Sequence, residues 1–266
     1  MAYSIRNFTD NQNVSVIDRK GAFTAIEYNN DFSVTAMSAQ MAYFSAAMGV
    51  RKRQVICDLK EADIITQAGA MQWMLGDVRP TTGIKGVGDL LGKAVKGKMS
   101  GESAIKPEYQ GEGILVLEPT YKHIILEDIE DWGGSVVLDD GLFMACEACL
   151  NQTIEARSNF SSAVAGGKGL FNLALVGEEG VFCLESNVPR SELIEIKLQN
   201  DVLKIDGTFA IAWSRSLKFT VERSGKTLIG SAASGEGLVN VYRGTGKVLL
   251  APVNSSPLET MVGVGD

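Results

Sequence analysis

The residues able to do acid–base or nucleophilic chemistry are few in this chain: one histidine, His123, four cysteines and one dense run of carboxylates. A single histidine completes no more than one Ser-His-Asp or Cys-His pair and cannot build a histidine-rich metal site within one chain. At the head of the apolar run Ile124-Ile125-Leu126 it reads as a structural residue at a strand edge. Cys146-Glu147-Ala148-Cys149 has redox or metal spacing, but on a strand the side chains at i and i+3 point to opposite faces, and no second such pair completes a four-thiolate site. Gly86-Val87-Gly88-Asp89-Leu90-Leu91-Gly92-Lys93 fails as a phosphate loop, because Val87 stands where the first glycine belongs and Ala94 follows the lysine. Gly244-Thr245-Gly246-Lys247 reads as a turn. Glu127-Asp128-Ile129-Glu130-Asp131-Trp132 lacks the ligand spacing of a calcium loop and reads as a solvated loop. No catalytic set, metal site or cofactor site is expected.

Composition narrows the classes further. The chain has 266 residues, 45% of them apolar, with 29 glycines, only 6 prolines and a formal charge of -7; this is a globular protein rich in tight turns. With a sequence pI near 5.0, a broad polyanion-binding surface is disfavoured, since phosphate neutralisation needs clustered Lys and Arg. Arg51-Lys52-Arg53 reads as a solvated segment before a strand, with a local anion contact as the alternative, and Lys85, Lys93, Lys96 and Lys98 form a short basic strip. The N-terminus lacks the apolar core of a secretory signal. Phe32 to Val50 runs nineteen residues without a charge, yet its Ser33, Thr35, Ser38, Gln40 and Ser45 argue against a membrane span. Four scattered cysteines, Cys57, Cys146, Cys149 and Cys183, do not make a disulfide scaffold, and a reducing cytoplasm is expected.

The elements expected to position these groups are strands. Residues 1–54 hold two strands, near 13–17 and 22–28, and a short helix, packed on the main body. On that helix Met37, Met41, Phe44 and Met48 share one face at i, i+4, i+7 and i+11. Such a stripe is ordinarily core filler, and the alternative is a docking face for a partner, a subunit or lipid. Residues 55–254 divide into units of about 55–121, 122–189 and 190–254, and a tail covers 255–266. Gly69 to Gly141 is 72 residues, Gly141 to Gly207 is 66, and Gly101 to Gly169 and Gly169 to Gly237 are each 68. Each unit is expected to close on a glycine-led β-hairpin marked by Gly101, by Gly167 and Gly169, or by Gly235 and Gly237. In the last, Gly244 and Gly246 form the turn. The expectation is one all-β domain of three tandem β-sandwich or double-stranded β-helix-like modules with a short N-terminal helix.

Ile65-Thr66-Gln67-Ala68-Gly69-Ala70-Met71, Ser100-Gly101-Glu102-Ser103, Gly166-Gly167-Lys168-Gly169-Leu170-Phe171, Ser234-Gly235-Glu236-Gly237-Leu238-Val239 and Arg243-Gly244-Thr245-Gly246-Lys247-Val248 occur in the order of a known family. Over roughly residues 54–253 the chain resembles the altered inheritance of mitochondria twenty-four family, whose bacterial members have the fold of the tryptophan RNA-binding attenuation protein. The resemblance implies three β-modules per chain and a homotrimer whose modules form a ring, and it carries no catalytic residues. Residues 1–53 look like an addition to shorter members. The function expected is a non-enzymatic cytoplasmic β-ring assembly protein that binds another protein. A small-ligand or RNA-binding ring, by analogy with the fold's namesake, is the alternative, and an enzyme with an interface active site comes last. Peripheral membrane contact stays open, and nucleic acid is disfavoured.

Overall fold

The computed structural model describes residues 3–81, 106–156, 171–207, 209–223 and 238–253. They form an all-β domain with one short helix. In chain order the elements are β1 (Val14–Lys20), β2 (Phe23–Tyr28), α1 (Ala39–Ala47), β3 (Arg53–Asp58), β4 (Ile64–Thr66), β5 (Met71–Thr81), β6 (Glu108–Leu117), β7 (His123–Asp128), β8 (Ser135–Leu138), β9 (Phe143–Glu147), β10 (Asn151–Ala156), β11 (Phe171–Val176), β12 (Val181–Ser186), β13 (Ile194–Asp206), β14 (Ala210–Ser214), β15 (Lys218–Arg223) and β16 (Leu238–Leu250).

The strands build two curled sheets. One is nine-stranded, in the order β1-β2-β3-β6-β4-β9-β12-β7 with β5 on the outer edge of β6. The other is seven-stranded, in the order β10-β11-β8-β14-β16-β13 with β15 beside β16. The strands of residues 122–189 are divided between them: β7, β9 and β12 lie in the first sheet, and β8, β10 and β11 in the second.

This division explains why the middle of the chain is so uniformly apolar. Successive strand residues face opposite ways, and here both faces are dry. On β12, Val181 and Cys183 enter the core inside the first sheet, while Phe182 and Leu184 enter the core between the sheets. On β8, Val136 and Leu138 join that shared core, and Val137 points into a third core with Trp213, Tyr242 and Val248. A strand wetted on one face alternates apolar and polar residues, whereas a strand covered on both reads as a continuous apolar run.

The described parts of the glycine-led segments do not form the expected hairpins. Gly244-Thr245-Gly246 lies inside the single strand β16, and Gly111 and Gly113 lie inside β6. Residues 171–176 and 181–186 are adjacent strands of different sheets that do not pair with each other. Likewise, the runs 193–198 and 202–206 join as one strand, β13, through a register shift between Leu198 and Asp201 opposite Gly244. Asn200 (φ 52°) and Gly244 (φ 122°) supply the positive dihedrals of that bulge. Among the glycines expected to shape hairpins, Gly244 and Gly246 are thus strand residues, whereas Gly101, Gly167, Gly169, Gly235 and Gly237 lie outside the described residues. So do the Gly86–Lys93 run and the basic strip from Lys85 to Lys98.

Candidate functional site

The Arg51-Lys52-Arg53 triplet is a clamp beneath α1 rather than a solvated segment. Arg53 is 4% exposed. Its Nη2 donates to the Gly49 carbonyl at 2.8 Å and lies 2.7 Å from Glu27 Oε2, while Nη1 donates to the Tyr121 and Lys122 carbonyls at 3.3 and 3.4 Å. Arg51 Nε donates to the Ala46 carbonyl at 3.1 Å, and its Nη1 bonds Glu27 Oε1 at 2.8 Å. Two cations therefore meet the open carbonyls and the negative dipole end of the helix C-terminus. Lys52 Nζ sits 2.9 Å from Asp31 Oδ2, which also accepts from Tyr121 Oη at 2.8 Å. The Ser33 hydroxyl, then Lys52 and Tyr121, hold the Asp31 carboxyl far below the usual carboxylate range.

The helix anchored there is turned inside out. Ala42, Ser45 and Ala46, at i, i+3 and i+4, are half-buried toward the body. The bulky stripe faces outward: Met37 is 96% exposed, Met41 74%, Phe44 58% and Met48 82%, joined by Phe32 at 79% and Tyr43 at 72%. In the single chain these residues fill no core, and small residues inside leave α1 standing away from the sheet. A groove of about 310 Å³ lies along one flank, lined by Tyr28, Val34, Met41, Val50 and Tyr121. Another of about 380 Å³ lies along the other flank, lined by Phe32, Ala39, Tyr43 and Ala47.

A second constellation joins the two sheets. Glu127, expected in a solvated loop, is 5% exposed at the end of β7. Its Oε1 accepts from Arg190 Nε at 2.6 Å, its Oε2 accepts from Trp132 Nε1 at 3.1 Å, and Lys247 Nζ on β16 lies 3.6 Å from Oε2. Lys247 is 7% exposed, and its ammonium stands 4.0 Å from the centroid of the Trp132 ring, a cation–π contact. Arg190 also binds Glu195 on β13 at 2.5 Å. Burial opposes the ionisation of Glu195, but Arg190, Lys247 and Lys197 hold its carboxyl below its ordinary range. The groove above this cluster, about 420 Å³, carries Lys20, Asp131 and Lys197 as well. Residues 129–132 form a 3-10 turn that buries Ile129 and Trp132 while Glu130 and Asp131 stay exposed, so of the acidic run only Glu127 enters the interior. The sequence signal was present: Lys247 is the one charge interrupting Val241 to Leu250 beyond Arg243, and Trp132 follows the acids at once.

The thiols are poorly suited to nucleophilic work. Burial pushes Cys57 and Cys183 well above the ordinary thiol value and Cys146 up to about 12. Cys149, exposed in the turn after β9, is raised by partial burial and by Glu147. Among the described residues, no group of three or more His, Cys, Asp and Glu side chains is placed to hold a metal ion, and no helix is long and apolar enough to cross a membrane.

His123 opens β7 opposite Ser186. Partial burial, then the Arg53 charge, lower its pKa from 6.5, with Glu27 opposing. The folded chain therefore keeps the imidazole neutral where the unfolded chain has already taken a proton, so folding stability falls as pH drops below about 6.5. His123→Gln is expected to flatten the fall in melting temperature between pH 7 and pH 5. An unchanged slope would remove His123 from the acid sensitivity.

A family model described as mitochondrial biogenesis AIM24 matches residues 44–253. An uncharacterised protein of Streptococcus pyogenes serotype M6 is 29% identical over 197 residues, which cover 72% of this chain and 77% of that protein. The crystal structure of a Streptococcus pyogenes protein superposes with a TM-score of 0.56 at 26% identity, covering 81% of this chain and 93% of that one. The family match leaves out residues 1–43, which contain β1, β2 and the first half of α1.

Proposed function

This chain belongs to the AIM24 family, and from that premise we propose that it is a non-enzymatic cytoplasmic assembly protein whose copies join strand edge to strand edge in a closed homotrimeric ring, a scaffold for other proteins. The observation that carries this reading is the order of strand pairing. On this reading the strands fall into three modules of one scheme, in which a central ribbon, broken into two strands in the second module, runs between two others. In the first, β6 pairs β5 on one side and β3 and β4 on the other. In the second, β11 lies between β8 and β10, and β12 between β7 and β9. In the third, β16 pairs β13 on one side and β14 and β15 on the other.

Successive modules are then joined by one rule. The second half of the leading ribbon pairs with the first half of the trailing ribbon of the next module: β4 with β9, and β8 with β14. Applied once more, the rule leaves β13 at one end and β5 at the other, and among the described residues each is paired on one side only. These edges are long and partly apolar, with Val202 46% exposed on β13, and Met71 and Met74 37% and 40% exposed on β5. An unprotected edge of this length is a template for another strand. Pairing β13 of one copy with β5 of the next is head-to-tail, and such contacts close into rings when the rotation allows. The resemblance to the family supplies the number three.

By equivalence with the two joins inside the chain, Val202–Lys204 lies antiparallel to Trp73–Gly76 of the neighbour. Val202→Cys combined with Leu75→Cys, in a Cys149→Ser background, is expected to link chains covalently on oxidation, and native mass should be three times the single-chain 28.5 kDa or a multiple of that. A single-chain mass at micromolar concentration, with no cross-link, would refute the ring.

A further inference from the structure

We infer that the outward face of α1 is a self-association surface whose occupant is the same face of a second copy of this chain. Phe32, Met37, Met41, Tyr43, Phe44, Met48 and Val50 are between 47% and 96% exposed. Together they present on the order of 900 Å² of apolar side chain, more than the largest patch of an ordinary monomer and close to what one partner brings to a standard specific interface.

Charge selects the occupant. From Phe32 to Val50 there is no ionisable group except the Tyr43 phenol, and the cations at the rim are held internally: Arg51 and Arg53 by Glu27, Lys52 by Asp31. With no free cation beside the stripe among the described residues and a chain charge of -7, the described face lacks the Lys and Arg by which interfacial helices hold anionic bilayers. It lacks equally the charges that would select an acidic or basic peptide. An uncharged partner face is required, and this chain displays one.

Shape points the same way. The knobs of the stripe and the grooves of about 310 and 380 Å³ beside α1 lie on one surface. A two-fold axis crossing near Phe44 therefore sets the Met and Phe side chains of each copy into the grooves of the other, the self-complementarity that an isologous contact needs. Methionine suits this role because its unbranched, polarizable side chain adapts to an irregular surface. The contact uses neither β5 nor β13, so it doubles whatever assembly the strand edges make and holds whether or not the ring forms.

Native mass of the full-length protein, wild type beside Met41→Glu/Phe44→Glu, tests this. Both side chains are exposed in the single chain, so the variant is expected to keep its melting temperature within about 2 °C while its native mass halves. Phe44→Cys in a Cys149→Ser background is expected to give a two-chain band on oxidation, a readout that survives if the double variant folds poorly. An identical mass for wild type and variant together with no Phe44→Cys cross-link would overturn the proposal. So would flotation of the wild type with phosphatidylcholine vesicles that the double variant loses without any change of mass, which would give the face to lipid.

Discussion

Glu127→Ala is expected to cost about 3–5 kcal/mol of unfolding free energy, the range for breaking a buried ion pair by removing one partner. The carboxylate is 7% exposed and faces Lys247, whose side chain is 9% exposed. Arg190 and the Trp132 indole complete its hydrogen bonds at 2.6 and 3.1 Å. Its removal leaves the Lys247 ammonium over the Trp132 ring with only the more exposed Glu195 carboxylate nearby. Truncation also frees the Trp132 Nε1 donor, 2% exposed as a residue, and an unpaired buried donor carries its own penalty. The loss should exceed that from breaking an exposed pair such as Arg79 with Asp77, both of which stand in solvent, where the median is about 0–1 kcal/mol. The double replacement Glu127→Leu/Lys247→Met separates the two meanings of a buried pair. It deletes both charges while keeping volume, and it is expected to recover most of the loss. Urea unfolding of Glu127→Ala, Asp77→Ala and the double variant measures this. A loss below about 1 kcal/mol for Glu127→Ala would show that the cluster does not hold the sheets together.

The second large effect lies in the β5–β6 ribbon. Gly111 has φ 115°, and a Cβ there would overlap the Asp77 carbonyl oxygen of the paired strand. That dihedral strains any L-residue by about 1–3 kcal/mol, and the obstructing atom is backbone within a ladder, so it cannot rotate away. Gly111→Ala is expected to cost about 3 kcal/mol or more, as strain and overlap act together. Gly69→Ala is the control: φ is 78°, but nothing lies within 4 Å of its Cβ, so strain alone of about 1–2 kcal/mol remains. Thermal melts of the two variants rank them, and equal losses would show that the close approach of β5 to β6 carries no energy of its own. Because the proposed ring joins through β5, Gly111→Ala is also expected to weaken that assembly more than Gly69→Ala does.

The repeat and the all-β class were legible in the chain because both are local. Fixed glycine spacings, short β-branched runs and continuous apolar segments such as Val136-Val137-Leu138 announce strands wherever they are finally placed. The β1–β2 pair and its turn at Gly21 (φ 50°) follow from nearest neighbours in the same way. Gly244-Thr245-Gly246 shows the limit. Positive φ serves a hairpin turn and a strand bulge equally, and the choice was made by β13, some forty residues earlier, whose register shift meets those glycines.

What the sequence determined by itself is therefore the inventory: a charge-poor, turn-rich β chain in glycine-spaced units, with one helix whose Met37, Met41, Phe44 and Met48 fall on a single face. Periodicity establishes that these four share a face, but not which way the face points, since inward and outward stripes have the same period. Only the tertiary structure decided that Arg51 and Arg53 would clamp the helix by its C-terminal carbonyls and turn Ala42, Ser45 and Ala46 inward. The same holds for Glu127 and Lys247, which are 120 residues apart in the chain. Each reads as a solvated charge alone, and each is buried because the sheets bring an opposite charge to within 3.6 Å of it. Pairings of that kind depend on contacts between distant segments, and no local window contains them.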